Sequence, residues 1–459
     1  MSDQDGAQSS TKLRRSRKTN TANQQNDKQA RPMQHPANED KEAWKAYWKA
    51  QGQPWRTEPE IDLERQKYLT ECRTTTPDIH QDIYPFKGIH LTRADIEWLL
   101  ATHENGRGPV YWNDDNQRER EGLDLRGADL RQENLSNLPL ARLRCALNIE
   151  EVALLLDPSD ALEESVWEIH LEDANLSNAH LEGANLIQAH LENAQAYGAF
   201  LDEALLSGAH LERTFLNSAS LKGTILADAD LGGTILKDAH LENANLIGAY
   251  LGKTYLYRAF LEGIDLKNAT LRDVNGVGPY LVDIHWGDAN LAVVKWSQIK
   301  MLGNEHEARE KLYQGEEKYH GMRLAQYEEA VRANRQLSIA LQAQGLNEYA
   351  ARFAFRAQAL QKEVWRFQMT QNYIKMSQRV QPLGAWLFSW FLFLLAGYGY
   401  KPWRSFAAYL ITILGFAITY FLIGQTAGPS LSPLGSFVFS MTSFHLSKVR
   451  YKKELKVRC

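Results

Sequence analysis

Leucine recurs at every fifth position from Leu171 to Leu271, and Ala196 alone breaks the series of 21. A five-residue period fits neither the 3.6-residue turn of a helix nor the two-residue alternation of a strand. The residue two before each in-phase position is nearly as restricted. Fifteen are Ala, four are Thr (Thr214, Thr224, Thr234, Thr254) and two are Ile (Ile169, Ile264). One large and one small inward residue per unit suit a chain that turns a corner after each unit. Four units then close a square coil of about 20 residues, and stacked coils hold one another through backbone ladders about 4.8 Å apart. The expected fold is a β-solenoid, a right-handed quadrilateral β-helix. Its axis is filled by Leu171, Leu176, Leu181, Leu186, Leu191, Leu201, Leu206, Leu211, Leu221, Leu241 and Leu246. The other three positions of each unit face water, and the register continues weakly through Leu281, Trp286, Leu291 and Trp296.

Ala174-Asn175-Leu176, Ala184-Asn185-Leu186, Ala244-Asn245-Leu246 and Ala289-Asn290-Leu291 repeat one short signature. On these residues the chain resembles the pentapeptide-repeat family, and the resemblance implies the same quadrilateral helix. Leu125, Ala128-Asp129-Leu130, Leu135 and Leu140 carry the pattern one residue out of phase. The repeat domain is therefore expected over residues 121–298, with an insertion at 141–168. Within the insertion, Asn148, Glu151 and the apolar run Val152 to Leu156 read as a short capped helix.

Polar composition and the basic cluster Lys12, Arg14, Arg15, Arg17, Lys18 mark residues 1–40 as a disordered arm without a secretory leader. Residues 41–120 are rich in aromatics (Trp44, Tyr47, Trp48, Trp55, Tyr84, Phe86, Trp98, Tyr111, Trp112) and read as a cap of mixed structure over the open end of the solenoid. Thr92 with Asp95 marks a helix start there. Cys72, Cys145 and Cys459 are widely spaced and odd in number, which favours reduced thiols.

Residues 304–380 change to a helical period. Tyr327, Ala330, Val331, Leu337, Ala340 and Leu341 form one stripe, Gly345 interrupts it, and Tyr349, Phe353, Ala357, Leu360, Val364 and Phe367 form a second. The spacing predicts a helical hairpin. Two uncharged runs follow, 383–400 and 405–424, long enough to be membrane segments, the first alternatively lying along the interface. The tail, 446–459, is strongly basic, so the positive-inside rule puts it, the repeat domain and both termini on the cytoplasmic side of a cell membrane. Gly397-Tyr398-Gly399 and the short apolar segment 434–445 resemble the start of a potassium-channel-like pore module carried by some prokaryotic pentapeptide-repeat proteins. No Gly-rich filter follows Phe444, and no closing span follows either.

No phosphate-binding glycine loop, nucleophile elbow, zinc-protease helix or paired-cysteine motif is present, so no catalytic, cofactor or metal residue is assigned and an enzyme is not expected. Folding at 20 residues per coil stacks His170, His190, His210 and Asp230, a set that reads as a polar ladder rather than a metal site. The same folding stacks Phe215, Ile235 and Tyr255 into an apolar stripe suited to a protein partner or to burial under the hairpin. The leading expectation is a non-enzymatic, membrane-anchored scaffold with an unidentified protein partner, as a monomer or a homo-oligomer. An ion-channel-class protein with a shortened pore is the alternative. The family resemblance adds a third reading, mimicry of duplex DNA toward gyrase, since residues 169–298 hold 16 acidic against eight basic residues. Direct binding of nucleic acid is not expected.

Overall fold

The computed structural model describes residues 35–37, 40–78, 81, 83–147, 151, 169–370, 376–399, 402–427, 432–434, 436–438 and 440–442. The expected basic arm, up to residue 34, the 446–459 tail and all of the 148–168 segment except Glu151 lie outside the described residues.

Each pentapeptide makes one corner and one bridge. In the unit Leu171-Glu172-Asp173-Ala174, the Ala174 N–H donates to the Leu171 carbonyl at 3.1 Å, and φ is positive at the third residue, Asp173 (58°). That is the sign pattern of a type II turn. The same position is taken by Asn178, Asn193, Asn243 and Asn268, and by Gly183, Gly198 and Gly208, all with positive φ. Asn and Gly tolerate this conformation better than other residues. Gly183 is required twice over, because a Cβ there would sit 2.6 Å from the Trp112 ring.

After each corner the chain meets the next coil through parallel bridges 20 residues apart: His170 with His190, Asn175 with Gln195, His180 with Phe200, Asn185 with Leu205. The ladder bonds are short, for example Leu171 N–H to His190 carbonyl at 2.8 Å and His190 N–H to Ile169 carbonyl at 3.1 Å. All eleven leucines assigned to the axis are buried, as are the Ala and Thr positions. Each buried threonine solves its own polar problem. Thr214, Thr224, Thr234 and Thr254 donate to the carbonyls of Leu191, Leu201, Leu211 and Leu231 at 2.6 to 2.9 Å.

The earlier repeat stretch joins this stack directly. Asp129, Asn134, Pro139 and Arg144 bridge His170, Asn175, His180 and Asn185. The expected insertion is thus corrected at its start: residues 141–147 remain on the solenoid path. The sequence hid this because Leu143 and Cys145, both buried, exchange large and small side chains between the two inward positions. Glu151 ties the far side of the break to the coil, pairing with Arg126 and Arg144 at 3.0 Å each.

The cap holds α1 (Lys41–Ala50), α2 (Leu63–Arg73) and α3 (Arg93–Ala101). Thr92 and Asp95 close a reciprocal capping box at the start of α3, as the spacing predicts. Its buried Ile96, Trp98, Leu99 and Leu100 join the solenoid core. Arg93 fixes the cap by donating to the carbonyls of Asn134 (2.7 Å) and Ser136 (3.1 Å). Trp44, Trp48, Tyr84 and Phe86 are buried, whereas Tyr111 is exposed and is not cap core.

At the other end, α4 (Gly303–Arg309) leads to the hairpin α5 (His320–Ala343) and α6 (Asn347–Met369), turned at Gly345 with φ 75°. Gln336 bonds Asp283, Gln344 bonds Leu291 and Ala289, and Phe353 meets the buried Trp296 edge-on at 6.0 Å. The hairpin therefore closes the lower end of the core.

Beyond it lie α7 (Met376–Ala396) and α8 (Pro402–Ala427). Among the described residues no helix is long and apolar enough to cross a membrane, so neither expected span, 383–400 nor 405–424, is borne out. For the first expected span the reason is local. The apolar run does not stay helical to residue 400: a tight 3-10 turn at Gly397–Gly399, with Tyr398 at φ 57°, ends it. Residues 383–396 alone rise about 21 Å, short of the roughly 30 Å hydrocarbon layer. Helical backbone also occurs within 433–442, where Ser440 donates to the Ile413 carbonyl at 3.0 Å. That segment packs on α8, and no pore-like arrangement is formed by the described residues.

Candidate interaction surface on the solenoid

The bridging residues form four outward columns, and their chemistry differs. One runs His170, His190, His210, Asp230, Tyr250, Thr270. The next runs Asn175, Gln195, Phe215, Ile235, Tyr255, Tyr280. The third runs His180, Phe200, Ser220, His240, Phe260, His285, and the fourth Asn185, Leu205, Ile225, Asn245, Asp265.

Phe215, Ile235 and Tyr255 do stack as the period requires, each partly exposed. Tyr280, buried, continues the stack inward, its ring 4.0 Å from that of Tyr255. The sequence reading missed Tyr280 because five extra residues loosen the last coil, so the bridge spacing becomes 25 there. Beside this end, the Tyr257 hydroxyl accepts from Asn304 at 3.1 Å and lies 3.4 Å from Glu329 of α5. Burial raises the Glu329 carboxyl and the Tyr257 hydroxyl above their ordinary ranges. The hairpin thus abuts the lower end of the stripe, while Phe215 and Ile235 lie on coils above it.

The histidine column is ordered by rings and carboxylates together. His170 stacks on His190 at 5.0 Å and His190 on His210 at 4.8 Å, with planes within 13°. Each imidazole Nδ1 also meets the glutamate two residues on: Glu172 at 3.0 Å, Glu192 at 3.1 Å and Glu212 at 3.8 Å. His180 with Glu182 and His240 with Glu242 repeat the pairing in the third column, both at 2.9 Å. The glutamates were missed at the sequence level, although His-Leu-Glu occurs at all five places. The two residues flank an inward leucine, and the corner swings them back to one side. The hydrogen bond to Glu182 raises the His180 pKa against the opposing effect of burial. Burial, with Asp230 and Glu192 nearby, holds the Glu212 carboxyl above its ordinary range.

None of the curated proteins compared matches the chain. Among solved structures, Rfr23, a pentapeptide repeat protein from the cyanobacterium Cyanothece 51142, is 31% identical over 32% of this chain and 91% of its own, with a TM-score of 0.17. HetL, a pentapeptide repeat protein involved in heterocyst differentiation regulation from Nostoc sp. strain PCC 7120, is 26% identical over 37% of this chain and 85% of its own, with a TM-score of 0.14. QnrB1, a plasmid-mediated fluoroquinolone resistance protein, is 17% identical over 40% of this chain and 80% of its own, with a TM-score of 0.19. The family profile described as pentapeptide repeats matches residues 169–208, 201–238 and 234–273. With the 20-residue coils seen over the same residues, this stretch of the chain is a pentapeptide-repeat β-solenoid.

Proposed function

We propose that the chain is a non-enzymatic scaffold: α7 and α8 hold it at a membrane, and the solenoid presents its outer columns to a protein partner. The observation that carries this reading is the apolar surface of the two helices. Leu387, Phe388, Phe391 and Leu394 of α7 are more than half exposed, as are Phe406, Ile411, Leu414 and Ile418 of α8. Soluble surfaces rarely leave so many large apolar side chains together without a lipid or protein to cover them. The basic residues from Lys448 to Arg458 favour attachment at an anionic, cytoplasmic leaflet. On the solenoid, Phe215 and Ile235 offer an apolar contact on a stiff, repetitive surface.

Vesicle flotation of the full chain tests the anchor, with phosphatidylcholine vesicles containing phosphatidylglycerol. The full chain is expected to rise with the vesicles, and the pair Phe391→Asp and Ile411→Asp to stay below. A full chain that remains below, or a variant that floats equally well, overturns the reading.

A further inference from the structure

We propose that the stacked His-Leu-Glu corners of the first column form a binding site for a divalent transition-metal ion, with Glu192 at its centre. The ligand atoms of Glu172, His190 and Glu192 lie within 4.8 Å of one another, and so do those of Glu192, His210 and Glu212. Each set supplies one imidazole nitrogen and two carboxylate oxygens, a donor mixture that suits zinc and its first-row neighbours. Bonds of about 2.0–2.2 Å would need these side chains to draw together, and all of them are half-exposed groups at corners rather than packed core.

Two features bear on a cation. First, Glu172, Glu192 and Glu212, like Glu182 and Glu242 of the third column, each bury their second carboxylate oxygen, Oε2, with no hydrogen-bond partner. Buried polar atoms are ordinarily satisfied, and an orphaned anionic oxygen repeated on three successive coils is a standing deficit of positive charge. Second, the ion pairs seen for these three glutamates among the described residues are to imidazoles and not to Lys or Arg. Arg131, whose charge acts on Glu172 across space, is already held by Asp129 at 2.6 Å. Asp230 adds further negative charge next to Glu212.

The third column provides an internal comparison. Its His180–Glu182 and His240–Glu242 pairs have the same local geometry. There, however, each imidazole stacks on a phenylalanine, Phe200 or Phe260, so Glu182 and Glu242 receive no second imidazole from the adjoining coil. Glu242 also has Lys222 within 3.6 Å. The period of 20 therefore creates the three-ligand sets only where His-Leu-Glu repeats on consecutive coils. Because both sets use Glu192, the column accommodates one tightly bound ion per chain.

The test is calorimetric titration of the full chain with zinc alone, repeated with cobalt to read its visible spectrum. Three variants accompany it. His190→Phe keeps a ring in the stack, as phenylalanine does in the third column, and Glu192→Gln keeps the side-chain shape. His240→Phe alters the comparison pair. Wild type and His240→Phe are expected to take up one more zinc ion than His190→Phe and Glu192→Gln, with affinity in the latter two reduced about tenfold or more. All four proteins should unfold cooperatively without metal, which shows that each keeps its fold. Equal uptake by wild type and His190→Phe, or equal loss in His240→Phe, overturns the proposal, because the zinc then sits elsewhere among the chain's 13 histidines.

Discussion

The hydroxyl of Thr234 donates to the carbonyl of Leu211, 23 residues earlier and one coil up, at 2.6 Å. The same carbonyl already accepts from the Thr214 N–H at 3.0 Å. Thr234 thus adds a second bond to an oxygen that would otherwise keep one. Thr234→Val should cost about 1 kcal/mol, the usual net value of one such bond, because no orphaned acceptor is left. Thr234→Leu should cost more, about 1–3 kcal/mol, by forcing a large side chain into the small inward position. Denaturant melts of both variants check the order; equal stability of the two would contradict it.

The corners make a prediction of opposite sign. Glu203 holds a φ of 59°, which a side chain pays for in steric strain. Glu203→Gly should stabilise the solenoid by about 0.5–1 kcal/mol, the left-handed strain outweighing the entropy of glycine. Gly183→Ala should do the reverse, since its Cβ would press on Trp112. Thermal melts that move both variants in one direction would contradict the assignment of these corners.

His180 should give the solenoid a pH dependence. Its folded pKa is raised above the ordinary value of about 6.5 by the Glu182 hydrogen bond. The protonated pair therefore contributes fully below that value, and its contribution is lost as pH rises through the folded pKa. The melting-temperature gap between wild type and His180→Gln should be wider at pH 6 than at pH 8. A gap independent of pH would mean that the pair carries no charge-linked stability.

Glu329 should act in the other direction. Burial first, with Glu307 nearby, raises its folded pKa, so ionisation costs stability once pH exceeds the unfolded value. Glu329→Gln should melt higher than wild type at pH 7, and the gain should vanish toward pH 4. A loss of stability at pH 7 would show instead that the Tyr257 contact depends on a charged carboxylate.

Much of this architecture was legible in the sequence because the inward positions are strict: Leu171 to Leu271 dictated both the coil length and the columns. Where chemistry at those positions relaxed, reading failed. Leu143 and Cys145 swapped sizes and hid a further stretch of solenoid. Tyr280 was displaced by the enlarged last coil. The His-Leu-Glu corners were written plainly, but their meaning depends on how a corner redirects two side chains around a buried leucine, which periodicity alone does not express. In α7 the apolar composition runs past Ala396, while the backbone stops there, because Gly397 and Tyr398 take left-handed conformations.

The proposed anchoring puts α7 and α8 in lipid and leaves the solenoid columns in water. Spin labels placed singly at positions 235 and 411 of the full chain, bound to vesicles, measure this directly through their accessibility to oxygen and to a water-soluble nickel complex. The label at 411 should be relaxed by oxygen and shielded from nickel, and the label at 235 should be reached by nickel. Two labels equally open to nickel would contradict the anchor, and a label at 235 shielded in lipid would contradict the outward-facing scaffold.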